Sequence, residues 1–308
     1  MSEMPIKSAT PLNILILGGS GFLSGTLARM AVAAQHRVWT VTRGQRSQAP
    51  GATALVADRH NEAEFAAVIA GANVNWDLAV DCIAFGPDDT RQDVAVLSSR
   101  VRHLVFVSTD FVYDPARRRF PQAEESDFYL TDGYGGLKRQ AEVALATAKT
   151  GGMAWTVLRP CHIYGPGSQL GCLPQHGRDP KLIERLRSGE PLRLIGGGYF
   201  LQQPVTASDL ARVSLDIPGN ASTFGQTFCV AGPDIVESRE YYRIIAEILG
   251  AELRIEEIPV DEFRNTNPQA GAFLCHRFYD LRKLQAAGIT PPQTSLRQGL
   301  REHVAGMI

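Results

Sequence analysis

Short apolar runs alternate with helix-like segments through the first half of the chain. Runs of strand length that are rich in Val, Ile and Leu, without strict alternation, are typical of strands buried on both faces. These runs are Leu12–Leu17, Arg37–Thr42, Ala52–Val56, Leu78–Ile83, His103–Val107 and Trp155–Arg159. The segments with helical period are Phe22–Ala34, Glu62–Ala70, Asp89–Arg100 and Asp132–Thr150. Repeated strand–helix–strand units predict an α/β fold, a doubly wound parallel sheet with right-handed crossovers.

The pattern changes after residue 164, where Gly and Pro cluster and loops are expected. Short elements are predicted in this region at Pro180–Ser188, Leu192–Ile195, Ser208–Asp216, Gln226–Val230 and Ser238–Leu249. We therefore predict three parts: a flexible N-terminus (1–11), an α/β core (12–164 plus about 200–235), and a smaller C-terminal lobe (165–199 plus 236–308).

Composition excludes several classes of protein. Lys and Arg number 31 against 32 Asp and Glu, and this balance gives no excess positive charge to attract nucleic acid or an anionic membrane. The five cysteines form no C-x-x-C pair, which favours a reducing compartment over a disulfide frame or a zinc site. The polar start lacks the apolar stretch of a signal peptide, and no run is long enough to span a membrane. We expect a soluble, cytoplasmic protein with no metal, nucleic-acid or membrane partner.

The first predicted strand runs into a glycine-rich turn, residues 18–24, and a predicted helix follows. A glycine pattern has little weight alone in a chain with 29 glycines, but its place between the first strand and the first helix is specific. Gly18 would form the tight turn, and Gly21 would let the backbone approach a pyrophosphate at the helix N-terminus. Ser24, in place of a third glycine, still permits close helix–strand packing. The turn therefore predicts a dinucleotide cofactor.

The residue that closes the second strand usually selects between NAD and NADP. An acidic residue accepts the ribose 2′-hydroxyl, whereas Arg suits a 2′-phosphate. Here Arg43 follows the strand, with Arg46 close behind and no carboxylate. Arg43 therefore favours NADP, although an arginine at this place could also stack on the adenine of NAD. Asp58, after the third strand, is a candidate for the adenine amino group or for a surface turn.

A candidate reactive set follows the fifth strand. Thr109 comes directly after Ser108, and Tyr134 and Lys138 form a Tyr-x-x-x-Lys motif 25 residues further on. Side chains four residues apart share a helix face, so the Lys ammonium can lower the Tyr pKa towards a catalytic value. Tyr134 would then exchange a proton with a substrate hydroxyl or carbonyl while hydride passes to or from a nicotinamide. Thr109 would orient the same substrate oxygen.

These motifs together resemble the extended short-chain dehydrogenase/reductase family, in its NAD-dependent epimerase/dehydratase group. The resemblance covers roughly Leu12 to Leu215 and includes Arg159-Pro160-Cys161-His162-Ile163-Tyr164-Gly165-Pro166. It implies a Rossmann core that binds NAD(P), a smaller lobe that closes over substrate, and a homodimer. It also implies an oxidoreductase or epimerase acting on a carbohydrate-like hydroxyl or ketone, often of a nucleotide-sugar.

The same resemblance implies further site residues. Those expected at the cofactor, besides Gly18, Gly21, Arg43 and Asp58, are Phe22, Leu23, Ile83, Ala84, Tyr134, Lys138 and Pro160. Those expected at the substrate are Phe85, Asp110, Phe111, His162 and Gln202.

Several positions depart from the sugar-nucleotide members of the family. His162 stands where Asn is common, and Gln202 lies where an Arg usually grips the diphosphate. An uncharged Gln cannot neutralise a phosphate as Arg does, which argues against a nucleotide diphosphate unless Arg178, Arg185 or Arg239 compensates.

Three functions remain open at this stage. Phe111 replaces the Glu of sugar 4,6-dehydratases, and the Ser-Thr-Asp-aromatic sequence resembles deoxysugar ketoreductases. Arg43 favours reduction with NADPH, whereas the overall resemblance favours epimerase-type chemistry. The Arg-Gly pair after the second strand resembles chloroplast stem-loop RNA-binding proteins, so a cofactor-binding regulator or RNA-binding protein is the alternative from another class.

Overall fold

The computed structural model describes residues 10–308, so residues 1–9 of the predicted flexible N-terminus (1–11) lie outside the described part. The strands are β1 (Asn13–Leu17), β2 (Arg37–Thr42), β3 (Thr53–Val56), β4 (Leu78–Asp81), β5 (His103–Val107), β6 (Ala154–Pro160), β7 (Ile163–Tyr164), β8 (Leu192–Ile195), β9 (Leu201–Gln202), β10 (Val205–Thr206), β11 (Gln226–Val230), β12 (Val236–Glu237) and β13 (Ile255–Ile258). The α-helices are α1 (Phe22–Ala33), α2 (Glu62–Gly71), α3 (Pro87–Leu97), α4 (Gly133–Thr147), α5 (Leu182–Ser188), α6 (Ala207–Leu215), α7 (Ser238–Leu249), α8 (Val260–Thr266), α9 (Arg282–Ala286) and α10 (Leu296–Ala305).

A seven-stranded sheet has the order β11-β6-β5-β4-β1-β2-β3. β1 pairs in parallel with β2 on one side and with β4 on the other, so the direction of winding reverses at β1. In open α/β sheets, ligands bind at the carboxyl ends of the strands beside such a reversal. The predicted doubly wound parallel sheet is confirmed.

The predicted element bounds agree closely in this sheet, and the clearest difference has a visible cause. The fourth strand ends at Asp81 instead of Ile83. Oδ1 of Asp81 accepts hydrogen bonds from the backbone N–H of Ile83 (2.7 Å) and of Ala84 (2.8 Å), which turns the chain out of the ladder. The following helix begins at Pro87, earlier than predicted, with Gly86 as its N-cap.

The chain divides into two compact units. The first contains the described residues up to Ser108, Thr131–Leu158 and Ala211–Thr227; the second contains Thr109–Leu130, Arg159–Leu210 and Phe228–Ile308. The second unit thus begins directly after β5 and includes residues 109–130, which the sequence pattern had grouped with the α/β core.

Each unit has its own apolar core. In the first, Leu15, Phe65, Trp76 and Phe106 are almost fully buried, between the sheet and its helices. In the second, the core contains Tyr241 and Tyr242 of α7 together with residues of α5, β8 and α10. Within residues 10–308, no helix combines the length and the apolar content that crossing a bilayer requires.

The turn between β1 and α1 depends on glycine geometry. Gly19 has a φ of +121°, a backbone conformation that L side chains rarely adopt, and a Cβ added there would lie 2.5 Å from Cβ of Thr40 on β2. The backbone of Gly18 is anchored by its N–H, which donates to the carbonyl of Val41 at 2.9 Å. The turn therefore packs closely against β2, and only glycine fits at position 19.

We expect Gly19→Ala to lower the free energy of unfolding by about 2 kcal/mol or more, because it adds both backbone strain and a clash. Gly25→Ala is the matched control, since Gly25 lies inside α1 and its added Cβ would make contacts no closer than 3.4 Å. That control should be neutral or stabilising by up to about 1 kcal/mol. Urea unfolding of both variants measures the difference, and equal stabilities would contradict the interpretation.

Candidate cofactor and catalytic site

A cavity of about 390 Å³ lies in the first unit, at the carboxyl ends of its first strands. Its lining residues are Gly18, Ser20, Gly21, Ser24, Val41, Thr42, Arg43, Gln45, Arg46, Ala57, Asp58, Arg59, His60 and Ile83. The structure thus brings together the predicted residues Gly18, Gly21, Arg43, Asp58 and Ile83. Of the other predicted cofactor residues, Phe22 and Leu23 begin α1, Ala84 lies in the loop after β4, and Pro160 ends β6.

The glycine turn gives one wall of the cavity the properties of an anion site. α1 begins at Phe22 with Gly21 as N-cap, and its first turn carries no acidic residue. Backbone N–H groups and the positive end of the helix dipole there favour a phosphate. A Cβ at Gly18 would lie 3.0 Å from Oγ of Ser24, so the close packing of the turn also excludes a side chain at this position.

The opposite wall carries exposed positive charge. Arg43 and Arg46 follow β2, and both side chains are exposed. Neither forms an ion pair with a carboxylate within residues 10–308. Asp58 is half-buried and its Oδ1 accepts the N–H of His60 at 3.0 Å, so part of its acceptor capacity is used within its own turn. This part of the cavity therefore carries two exposed positive charges that no carboxylate of residues 10–308 neutralises.

Lys138 lies on α4 and is buried, with 6% of the residue exposed. Its Nζ donates to the carbonyl of Ala84 at 2.7 Å and to that of Val107, the last residue of β5, at 2.9 Å. Burial lowers the pKa of the ammonium, and the nearby carboxylate of Asp81 counters part of this effect. Two of its three N–H groups are thus used by backbone carbonyls.

Tyr134 lies one turn before Lys138 on the same face of α4 and is 45% exposed. Its ring packs against the exposed ring of Phe85, with the centroids 5.5 Å apart. Tyr134 and Lys138 both lie on α4, and their spacing of four residues brings the two side chains to one face of the helix. A tyrosine so placed can exchange a proton with a bound molecule.

The remaining predicted site residues lie in the second unit. Thr109 is buried, and its Oγ1 accepts the N–H of Phe111 at 3.3 Å. His162 is half-buried, and burial together with the charge of Arg178 lowers its pKa to about 4, so it is neutral near pH 7. Gln202 ends β9 with 1% of its surface exposed, so its amide lies inside the unit.

Asp110 is the most strongly paired of these residues. Its carboxylate accepts hydrogen bonds from the guanidinium of Arg277 and from the hydroxyl of Tyr279, and Nη2 of Arg118 lies 3.4 Å from it. Burial alone would raise the pKa of Asp110, but Arg277 and Arg118 hold it below its ordinary value. Asp110 therefore fixes two arginines and a tyrosine within the second unit.

Sequence reasoning left several cavity residues unassigned: Ser20, Ser24, Val41, Thr42, Gln45, Arg46, Ala57, Arg59 and His60. Most could have been found, because they neighbour assigned residues in the loops after β1, β2 and β3. The buried ion pairs of Arg59 gave no signal in the sequence, since its partners Asp81 and Asp93 are more than 20 residues away.

Residues 14–217 match the model of the family described as the NAD dependent epimerase/dehydratase family. The chain is 26% identical over 309 residues to 2-alkyl-3-oxoalkanoate reductase from Stenotrophomonas maltophilia (strain K279a), a match covering 92% of this chain and 87% of that protein. It is 24% identical over 246 residues to the chloroplast stem-loop binding protein of 41 kDa b from Arabidopsis thaliana. That match covers 75% of this chain but only 61% of the chloroplast protein.

The fold is also similar to those of solved structures over almost the whole chain. The UDP-glucose 4-epimerase with UDP-glucose from Thermotoga maritima superposes with a TM-score of 0.78 and covers 96% of this chain and 98% of its own, at 19% identity. Family match, parallel sheet and cofactor cavity agree. The chain belongs to the NAD dependent epimerase/dehydratase family and is an oxidoreductase of the extended short-chain dehydrogenase/reductase fold.

Proposed function

We propose that this protein is an NADPH-dependent reductase of a ketone, in which Tyr134 and Lys138, with Thr109, carry the proton transfer. The observation on which the proposal depends is that the partly exposed Tyr134 and the buried Lys138 lie four residues apart on α4. In this mechanism the nicotinamide supplies hydride when it is bound. Tyr134 gives a proton to the substrate oxygen, Lys138 favours the phenolate left behind, and Thr109 orients that oxygen.

Two exposed arginines that line the cavity favour NADPH over NADH. An NAD site places a carboxylate at the end of the second strand, where this chain has Arg43 and Arg46. Both face the cavity, and their charges are not cancelled by any carboxylate of residues 10–308. A 2′-phosphate would supply the missing counter-charge.

Two residues that replace functional groups of sugar-nucleotide enzymes, Phe111 and Gln202, narrow the class of substrate. Phe111 has no carboxylate and cannot act as the base of a dehydration. Gln202 is uncharged and buried, so it cannot bind a substrate diphosphate as an arginine would. The similar Stenotrophomonas protein is named as a reductase of a 3-oxo compound. A ketone of a carbohydrate-like or 3-oxo compound therefore fits better than a nucleotide-sugar. The homodimer and the cytoplasmic location stay predictions.

RNA binding is the second candidate, because one similar protein is named as a stem-loop binding protein. A net charge of −1 gives this chain no overall attraction to phosphates of RNA. Proton transfer by Tyr134 would also have no use in such a protein. The two functions predict opposite outcomes for the same substitution.

Tyr134→Phe is expected to lower kcat by roughly 10²–10⁴-fold, because the phenol proton is lost, while NADPH affinity changes by less than about threefold. The assay follows NADPH absorbance with ethyl 2-methyl-3-oxobutanoate and with keto-sugars as probes. Tyr199→Phe is the control, since it also removes an exposed hydroxyl. A wild-type protein that oxidises NADPH with none of these probes and binds a structured RNA in gel-shift assays would favour the second candidate.

Arg43→Ala combined with Arg46→Ala is expected to weaken NADPH binding by about tenfold or more and NADH binding by less than about threefold, because only NADPH carries the 2′-phosphate. Arg37→Ala is the matched control, an exposed arginine at the opposite end of β2. Fluorescence titration with both reduced cofactors measures the change. A wild-type protein that binds NADH as tightly as NADPH, or that purifies with NAD still bound, would instead support an epimerase that recycles its hydride.

A further inference from the structure

Arg59 is a buried cation with no role in the chemistry proposed so far. It follows β3 and lines the cofactor cavity together with its neighbours Asp58 and His60, yet its side chain is only 4% exposed. Its Nη1 lies 2.7 Å from Oδ2 of Asp81 and its Nη2 lies 2.9 Å from Oδ1 of Asp93. Its Nε is 3.4 Å from Oδ1 of Asp89. One guanidinium thus gathers three carboxylates from β4 and α3.

Two of those carboxylates hold the backbone of the loop between β4 and α3. Oδ1 of Asp81 accepts the N–H of Ile83 and of Ala84, as described above. Oδ2 of Asp89 accepts the N–H of Phe85 at 2.6 Å and of Gly86 at 3.2 Å. Four consecutive N–H groups, residues 83–86, are therefore bonded to side chains that Arg59 pairs with.

The same loop, residues 83–86, contacts both Lys138 and Tyr134 of α4. The carbonyl of Ala84 accepts from Nζ of Lys138 at 2.7 Å. The ring of Phe85 packs on the ring of Tyr134. A shift of this loop would therefore move the acceptor of the lysine and the support of the tyrosine together.

Charge explains why an arginine stands at this position. Burial raises the pKa of Asp93 well above its ordinary value, and the charge of Asp81 adds to that rise. Burial acts on Asp81 in the same direction, but Arg59 reverses the effect and keeps that pKa low. The planar fork of Arg reaches several oxygens at fixed angles, which the single ammonium of Lys cannot do. Without the fork, the two buried carboxyls would repel one another and the loop would lose its anchors.

We infer that Arg59 is a positioning residue for the Tyr134–Lys138 pair: through Asp81 and Asp89 it sets the loop 83–86, and that loop sets the two side chains. The inference deepens the proposed function and rests on it for the role of Tyr134. It also links the adenine side of the cofactor cavity to the reactive pair within one unit, because Arg59 is flanked by cavity residues on both sides.

The first test reads the position of Lys138 without any turnover. The chain has only five lysines, so labelling their Cε atoms with ¹³C gives a simple spectrum in which Lys138→Met assigns one resonance. Arg59→Gln should move the Lys138 resonance by more than its line width and leave those of Lys149, Lys181 and Lys283 in place. Arg102→Gln, which breaks the exposed pair with Asp77, is the control and should change none of them.

The second test measures kinetics with the same probes. Arg59→Gln should lower kcat by about tenfold or more through misplacement of the reactive groups. Arg59→Lys should fall between the wild type and Arg59→Gln. If Arg59→Gln does not fold, Asp89→Asn decides the question, because this side chain is 14% exposed and its change loosens Phe85 and Gly86 alone.

A lower melting temperature with an unmoved Lys138 resonance and an unchanged kcat would overturn the inference and leave Arg59 a purely structural residue. A wild-type protein without reductase activity would instead count against the proposed function, while the spectrum would still report whether Arg59 positions Lys138.

Discussion

A buried ammonium needs hydrogen-bond acceptors, and the way this chain supplies them to Lys138 organises much of the first unit. The carbonyl of Val107 is available because β5 ends there, at the carboxyl edge of a parallel sheet. The carbonyl of Ala84 is available because Asp81, three residues earlier, turns the chain out of β4. α4 is thereby fastened to the ends of two adjacent strands. Desolvation of an ammonium costs several kcal/mol unless such acceptors are placed in advance, so the strand ends and the helix have to fit one another.

Buried and exposed charged residues have different roles in this molecule. The buried charges of Arg59, Asp81 and Asp110 have partners inside their own unit. The exposed charges of Arg43 and Arg46 face a cavity and have no carboxylate partner within residues 10–308. A buried charge without a counter-charge would destabilise the fold, whereas an exposed one next to a cavity costs little and attracts a ligand. The same residue type thus has opposite meanings at positions 43 and 59.

The alternating pattern of the first half predicted the sheet and most of its bounds, because strands buried on both faces leave a strong apolar signal. It placed the end of β4 two residues too late, since Ile83 looks like a strand residue and only the contact with Asp81 shows otherwise. Arg59 carried no signal either, because its three acidic partners are distant in sequence. In the second unit, β13 and helices α8 to α10 were not predicted: short elements in loop-rich sequence lack the periodicity that identifies them.

Asp110 shows why a motif needs its surroundings before it acquires a role. In the sequence it stands beside Thr109 and invites an acid–base interpretation. In the fold it is ionised, because Arg277 and Arg118 hold its pKa low, and its Oδ2 accepts hydrogen bonds from an arginine and a tyrosine. An ionised carboxylate in such a cluster has no proton to give. Among the residues that the motifs singled out, His162 is neutral near pH 7 and half-buried, while Tyr134 is accessible and lies one helical turn from a buried cation. Tyr134 therefore fits the proposed role of proton donor better than Asp110 or His162 does.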